Sequence, residues 1–441
     1  MTLLLPLTLS IKNMNIFWFR RDLRLEDNAG LYHALQSDEE VLPIFIFDQN
    51  ILSQLPKNDA RVTFIHDQLS KIQSQLQKIG KSLAVFYGNP FEVYNRILSE
   101  NDIKTVFTNH DYEPYARKRD LELYQLFKEY NIEFKTSKDQ VIFEKSEVVK
   151  DDGTPYVVYT PYSNKWKENF RKTSLTHYNS EAYLDKIALH SYPFLSLNDI
   201  GFERSNIAVT PFDVSESLID NYEATRNFPA MNKTSYLGVY LRFGAVSVRQ
   251  MVVKALQSKN ETFLKELIWR EFFMQILWHF PHTVNKSFKP KYDEIHWDNN
   301  ETLFQQWCEG KTGYPFVDAG MRELNATGHM HNRVRMITAS FLCKHLLIDW
   351  RWGEAYFAQK LLDYEQASNV GNWQWAAGSG VDAAPYFRIF NPTEQIKKFD
   401  KDLVYIKKWI PELNSLTYPK PIVDHKMARD KCLTVYKEAV G

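Results

Sequence analysis

The residues best suited to chemistry lie in the C-terminal half of this 441-residue chain. Glu266, Trp269, Arg270 and Phe273 fall at i, i+3, i+4 and i+7, so a helix over 263–280 carries them on one face. An amphipathic helix with core aromatics is the plainer account of that spacing. The glutamate speaks against it, because a carboxyl wedged among aromatics must be hydrogen-bonded or have its pKa raised, and both recur at functional sites. "MHNRVRMITA" places Asn332 and Met336 on one helix face, with Arg333 and Arg335 on the faces beside it. Further on, "LLDYEQASNVGNW" supplies Asp363, Glu365 and Asn369 next to Trp373 and Trp375. Stacking aromatics with hydrogen-bonding amides are what a planar, polar cofactor such as a flavin ring requires. Thr234 and Ser235 precede another helical run, and hydroxyls with free N–H groups at a helix start suit a phosphate.

Other chemistries lack their residues. His329 and His331 stand two apart with no HExxH or Cys/His cluster to make a metal site. There is no Walker-type loop, no G-x-S-x-G elbow, and no G-x-G-x-x-G after the first strand. Cys308, Cys343 and Cys432 form no CxxC pair and point to a reducing compartment. No apolar run is long enough for a membrane span.

The elements that must position these residues fall into two regions. Residues 14–140 alternate buried-strand runs ("NIFWF", "VLPIFIF", "SLAVFYG", "TVFTNH") with amphipathic helices, which predicts a Rossmann-like α/β domain with a parallel sheet. Residues 141–210 read as an interdomain linker with some short helices. Helical periodicity then dominates from 211 to 441, as in "LGVYLRFGAVSVRQMVVKALQ". Residues 1–13 read as a dispensable extension ahead of Met14. Net charge is zero, yet residues 221–441 hold 29 Lys/Arg against 23 Asp/Glu, an excess that suits a nucleic-acid face.

Five stretches, "WFRRDLRLEDN", "WREFF", "EGKTGYPFVDAGMRELNATGHMHNRVRMITASFL", "LLIDWRWGEAYF" and "NWQWAAGSGVDAAPYFRIFNP", together resemble the photolyase/cryptochrome family. The similarity runs from residue 14 onward and is greatest to class I cyclobutane pyrimidine dimer photolyases. It implies an α/β antenna domain, a linker, and an all-α C-terminal domain holding FAD. Mapped by motif, Tyr222, Thr234, Ser235, Tyr236, Leu237, Gly238, Phe263, Arg270, Asn332, Arg335, Asp363, Tyr364, Glu365 and Asn369 contact the cofactor. Members often carry a basic residue at Tyr236 and serine at Gly238. Asn369 faces flavin N5, where an amide favours the reduced cofactor.

The resemblance further implies light-driven repair of damaged DNA, in which reduced FAD lends an electron to the dimer and recovers it. Trp373, Trp350 and Trp297 align with the family's electron relay to the surface. Trp269 and Trp375, with Asn332 and Met336, line the pocket for the flipped-out lesion. Glu266 hydrogen-bonds the thymine carbonyl edge, and Arg226, Arg333, Arg388 and Lys398 grip flanking phosphates. The (6-4) branch carries a His-His pair where His331 and Asn332 stand, so Asn332 argues against that substrate. A cryptochrome photoreceptor has a changed residue facing N5, against which stands Asn369. Folate-binding members present an Asn-Glu pair at Tyr115 and Ala116, so a deazaflavin, a flavin or no antenna is expected in preference to methenyltetrahydrofolate. The chain is expected to act as a cytoplasmic monomer without metal.

Overall fold

A computed structural model describes residues 13–441, so the expected extension lies, apart from Asn13, outside the described residues. By its internal packing the chain divides into two units. One comprises the residues up to Gln140 with Thr176–Ser205 and Phe243–Val248; the other comprises Val141–Leu175, Asn206–Arg242 and Arg249–Gly441. The stretch 141–210 is therefore shared between the two.

The first unit is a parallel five-stranded sheet in the order β3-β2-β1-β4-β5, with β1 Met14–Phe19, β2 Glu40–Asp48, β3 Ala84–Gly88, β4 Ile103–Asn109 and β5 Glu133–Ser137. Four residues of β1, Ile16 to Phe19, are almost wholly buried, as a strand covered on both faces must be. Asn28, Asp59 and Asn89 cap the following helices by accepting backbone N–H groups. The motif after β1 becomes a polar clamp at the carboxyl ends of β1 and β4. Arg20 pairs with Asp120 at 2.5 Å, Arg24 with Asp139 at 2.8 Å, and Asn109 donates to Asp22 at 2.6 Å. Burial pushes the Asp22 carboxyl up to about 6. Ala116 is buried there, and Tyr115 donates to Asp48 at 2.6 Å.

The helical run expected after Leu237 is not continuous. It forms Gly238–Arg242 and Val248–Gln257, and the residues between them join the first unit. There Phe243 and Gly244 carbonyls accept from Leu23 N–H and the Arg24 guanidinium, both at 3.0 Å. Gly244 makes the break: its φ is +60°, and a Cβ would run into the Arg21 carbonyl.

In the second unit the helices Pro315–Thr327, Asn332–Lys344, Trp350–Lys360 and Gln366–Ala377 pack around Trp307, Phe316, Phe341, Trp350, Phe357 and Trp373. The helix Thr262–His279 is buried nearly all round, which is why its apolar residues show no single stripe. Against it docks Tyr159–Lys172, a helix from the stretch read as linker. Glu271 holds the two together. Its carboxylate accepts from Trp166 Nε1 at 2.6 Å and from the backbone N–H groups of Ile142 and Phe143 at 2.5 and 3.2 Å. Burial pushes its pKa up to about 7 against the pull of those donors.

Candidate functional site

Among the cavities of the helical unit, two are lined by the candidate residues. The larger, ≈ 290 Å³, is lined among others by Tyr222, the segment Thr234 to Gly238, Glu266, Asn332, Arg335 and Asp363. The smaller, ≈ 100 Å³, is lined by Asn332, Arg335, Met336, Asp363 to Glu365, Asn369, Trp373 and Trp375. Asn332, Arg335 and Asp363 border both. The structure thus gathers most residues expected at the cofactor into one continuous neighbourhood, although they come from segments more than a hundred residues apart.

Arg335 donates to Asp363 Oδ2 at 2.9 Å. Burial alone would raise the Asp363 carboxyl; the adjacent guanidinium instead holds it below the usual carboxylate range. Its Oδ1 is buried with no hydrogen-bond partner among the described residues. Gly238 stands against this carboxylate, where a Cβ would come within 3.0 Å of Oδ2. A solvent-shielded acceptor without a donor, beside a backbone stripped of its side chain, fits a ligand that brings its own N–H or O–H groups, as FAD does. Tyr236, which lines this pocket, holds φ +53°, a costly conformation for a bulky residue. Thr234 and Ser235 precede a helix of only five residues, so their hydroxyls matter there more than a helix dipole.

Asn369 is 9% exposed, and its Nδ2 donates to Glu354 Oε1 at 2.9 Å and to the Glu354 carbonyl at 3.2 Å. With its amide hydrogens committed, only Oδ1 is left to accept from a ligand. Glu354, whose carboxyl burial raises, went unnoticed in the sequence, because nothing in "WRWGEAYF" says that it backs Asn369. Arg270 donates to Glu365 at 3.1 Å, and Phe263 packs edge-on against Tyr222 at 5.3 Å. Both stand behind the cavity walls as supports.

The expected DNA-facing residues also converge. The Arg333 and Lys398 cations lie 4.4 and 5.3 Å from the Phe399 ring centroid. Burial, then the nearby charges of Arg226 and Arg388, lower the Arg333 pKa, so three guanidinium groups share one neighbourhood. Arg333 also donates to Asn227 Oδ1 at 2.5 Å. Arg226 is ion-paired with Glu266, two residues to which the sequence assigned separate tasks. Trp269 is half-buried, with its ring 5.5 Å from that of Phe273.

Trp373 and Trp350 are buried and Trp297 is half-buried beside Tyr436. The ring contacts of Trp373 run to Phe357 at 4.9 Å and Trp307 at 6.1 Å. Trp307, fully buried and donating to the Thr338 carbonyl, is a core residue that also touches the innermost tryptophan. Among the described residues no group of three or more His, Cys, Asp or Glu is arranged for a metal, and no helix is long and apolar enough to cross a membrane.

Sequence profiles described as DNA photolyase and as the FAD binding domain of DNA photolyase match residues 15–180 and 263–417. A deoxyribodipyrimidine photo-lyase of Escherichia coli is 36% identical over 96% of this chain and 98% of its own. One from a Synechococcus strain is 34% identical over 96% of each. The crystal structure of an archaeal photolyase from Sulfolobus tokodaii, with two FAD molecules, superposes with a TM-score of 0.82 at 34% identity, covering 97% of this chain and 100% of that one.

Proposed function

This chain belongs to the DNA photolyase family, and from that premise we propose that it is a deoxyribodipyrimidine photo-lyase, splitting cyclobutane pyrimidine dimers in DNA under blue light. The observation that carries the reading is the pair of cavities sharing Asn332, Arg335 and Asp363, with Trp375 and Met336 on the wall of the smaller. FAD, when bound and reduced, supplies a light-excitable electron donor. Asp363 and Arg335 would hold it by charge and hydrogen bonds, Thr234 and Ser235 would offer hydroxyls to its phosphates, and Asn369 Oδ1 would accept from the flavin N–H.

The protein's remaining task is to bring the lesion close and keep water out. Arg333, Arg388 and Lys398 bind phosphates, which orients the duplex without reading its bases, while Arg226 is held in its ion pair with Glu266. A dimer is already poorly stacked and so is cheap to flip. Trp269 and Trp375 receive it as apolar walls. A carboxylate in an ion pair only accepts, so Glu266 meets a thymine N–H edge more readily than a carbonyl. Trp297, Trp350 and Trp373 would relay electrons to the oxidised cofactor from a thiol-class reductant in solution, which is the species consumed. The unpaired cysteines support a reducing compartment such as the cytoplasm, and we take the working form to be a monomer.

The test is loss of dimers from an irradiated oligonucleotide under blue light, using protein whose bound chromophores have been identified by absorption and mass. Light-dependent loss with the reduced flavoprotein, and none in the dark, is expected. No loss with FAD bound and reduced overturns the reading.

A further inference from the structure

We propose that Tyr159 is a positioning residue for lesion recognition, whose stacked ring fixes the indole of Trp269 as one wall of the dimer pocket. The inference rests on the repair reading above. The rings of Tyr159 and Trp269 lie face to face, with centroids 3.6 Å apart and planes within 4°. Trp269 is half-buried, so part of it stays accessible while Tyr159 covers one face. A lone tryptophan on a helix surface samples several rotamers. Stacking on an immobile ring selects one of them, and a substrate then need not pay for ordering it.

Tyr159 is itself held from several directions. It is 9% exposed. Its hydroxyl donates to the Lys265 carbonyl at 2.9 Å, one turn before Trp269 on the same helix. Its backbone N–H donates to Asp382 Oδ2 at 3.3 Å, in the loop between Trp375 and Arg388. Phe272 packs edge-on against both rings, at 5.9 Å from Tyr159 and 5.5 Å from Trp269. Two turns of helix further on, the Trp166–Glu271 bond anchors the helix that Tyr159 begins. One residue thus ties the helix bearing Trp269 to the loop that follows Trp375. Nothing in the sequence around "VVYTPYSNKW" marks it, because its role exists only once the two helices are docked.

The experiment compares wild type, Tyr159→Leu and Tyr159→Phe as FAD-bound protein. Affinity is read by fluorescence anisotropy in the dark, for a duplex containing one thymine dimer and for the same duplex undamaged. Repair yield is read at saturating substrate. Tyr159→Leu is expected to weaken dimer binding about two- to tenfold, the range one aromatic pair contributes. Undamaged binding and the saturated repair yield should stay at wild-type levels, and Tyr159→Phe, which keeps the stack, should restore dimer affinity. If Tyr159→Leu fails to retain FAD, Tyr159→Met takes the same test. Unchanged discrimination, an equal loss on both duplexes, or a Phe variant as weak as Leu overturns the inference alone. A wild type that neither prefers nor repairs the dimer overturns the repair reading and this inference with it.

Discussion

The pairing of Arg226 with Glu266 makes the salt dependence of DNA binding a quantitative test of the cationic cluster. Of Arg226, Arg333, Arg388 and Lys398, one is neutralised within the protein and three remain to displace counterions. Each phosphate contact contributes about 0.9 to the slope of log K against log salt, so wild type should show about −2.7 on undamaged duplex, roughly a 40-fold loss between 50 and 200 mM. Arg333→Gln keeps a stem on Phe399 but removes a charge; the slope should flatten to about −1.8 and the loss shrink to roughly 12-fold. Glu266→Gln should act in the opposite sense, freeing Arg226 and steepening the slope to about −3.6, roughly 150-fold over the same range. Anisotropy titrations on an undamaged 20-mer across that salt range measure all three. A Glu266→Gln slope equal to or flatter than wild type would refute the reasoning, since the carboxylate would then not be masking a phosphate contact.

Trp297→Phe should abolish fast photoreduction of the oxidised flavoprotein while sparing repair by protein already reduced. Flavin bleaching with a thiol donor and dimer loss after chemical reduction check this on one preparation, and a variant that bleaches at the wild-type rate would place the relay elsewhere. Asp363→Asn should retain FAD at least tenfold less tightly, because Arg335 loses its charge partner at the cofactor pocket; flavin fluorescence in the filtrate reports it. His331, buried with its pKa lowered to about 4, makes the fold acid-sensitive. The unfolded imidazole takes a proton near 6.5 and the folded one only near 4, so stability falls as pH drops through that window, by up to about 3 kcal/mol from this group. His331→Asn keeps a side chain able to cap the helix Asn332–Lys344 but removes the titration, so its urea-unfolding free energy should change less between pH 7 and 4 than that of wild type.

What was legible in the sequence follows from period and residue type. The β1 run and the Glu266 helix announced themselves by continuous burial and by spacing, and both stand within a residue or two of expectation. The residues around the cofactor pocket were legible as motif members, but their pairing was not. Nothing local says that Arg226 meets Glu266, that Glu354 orients Asn369, or that Tyr159 stacks on Trp269, since each depends on how helices dock. The broken run after Leu237 misled for a different reason. Its apolar spacing is helical throughout, and only the left-handed turn at Gly244, forced by the approach of Arg21, interrupts it.

The detour of residues 243–248 into the first unit bears on how the protein is made and inherited. All five strands have been synthesised once Ser137 is added, yet Leu23 and Arg24 meet their Phe243 and Gly244 partners only after a further stretch of helical unit has been made. The nascent sheet must therefore wait, incomplete, while much of the rest is translated. A gene fragment ending at Gln140 would encode every strand but not the segment that accepts the hydrogen bonds of Leu23 and Arg24. A cut at that point would therefore leave the first unit without Thr176–Ser205 and Phe243–Val248, so the unit is not a transferable module by itself.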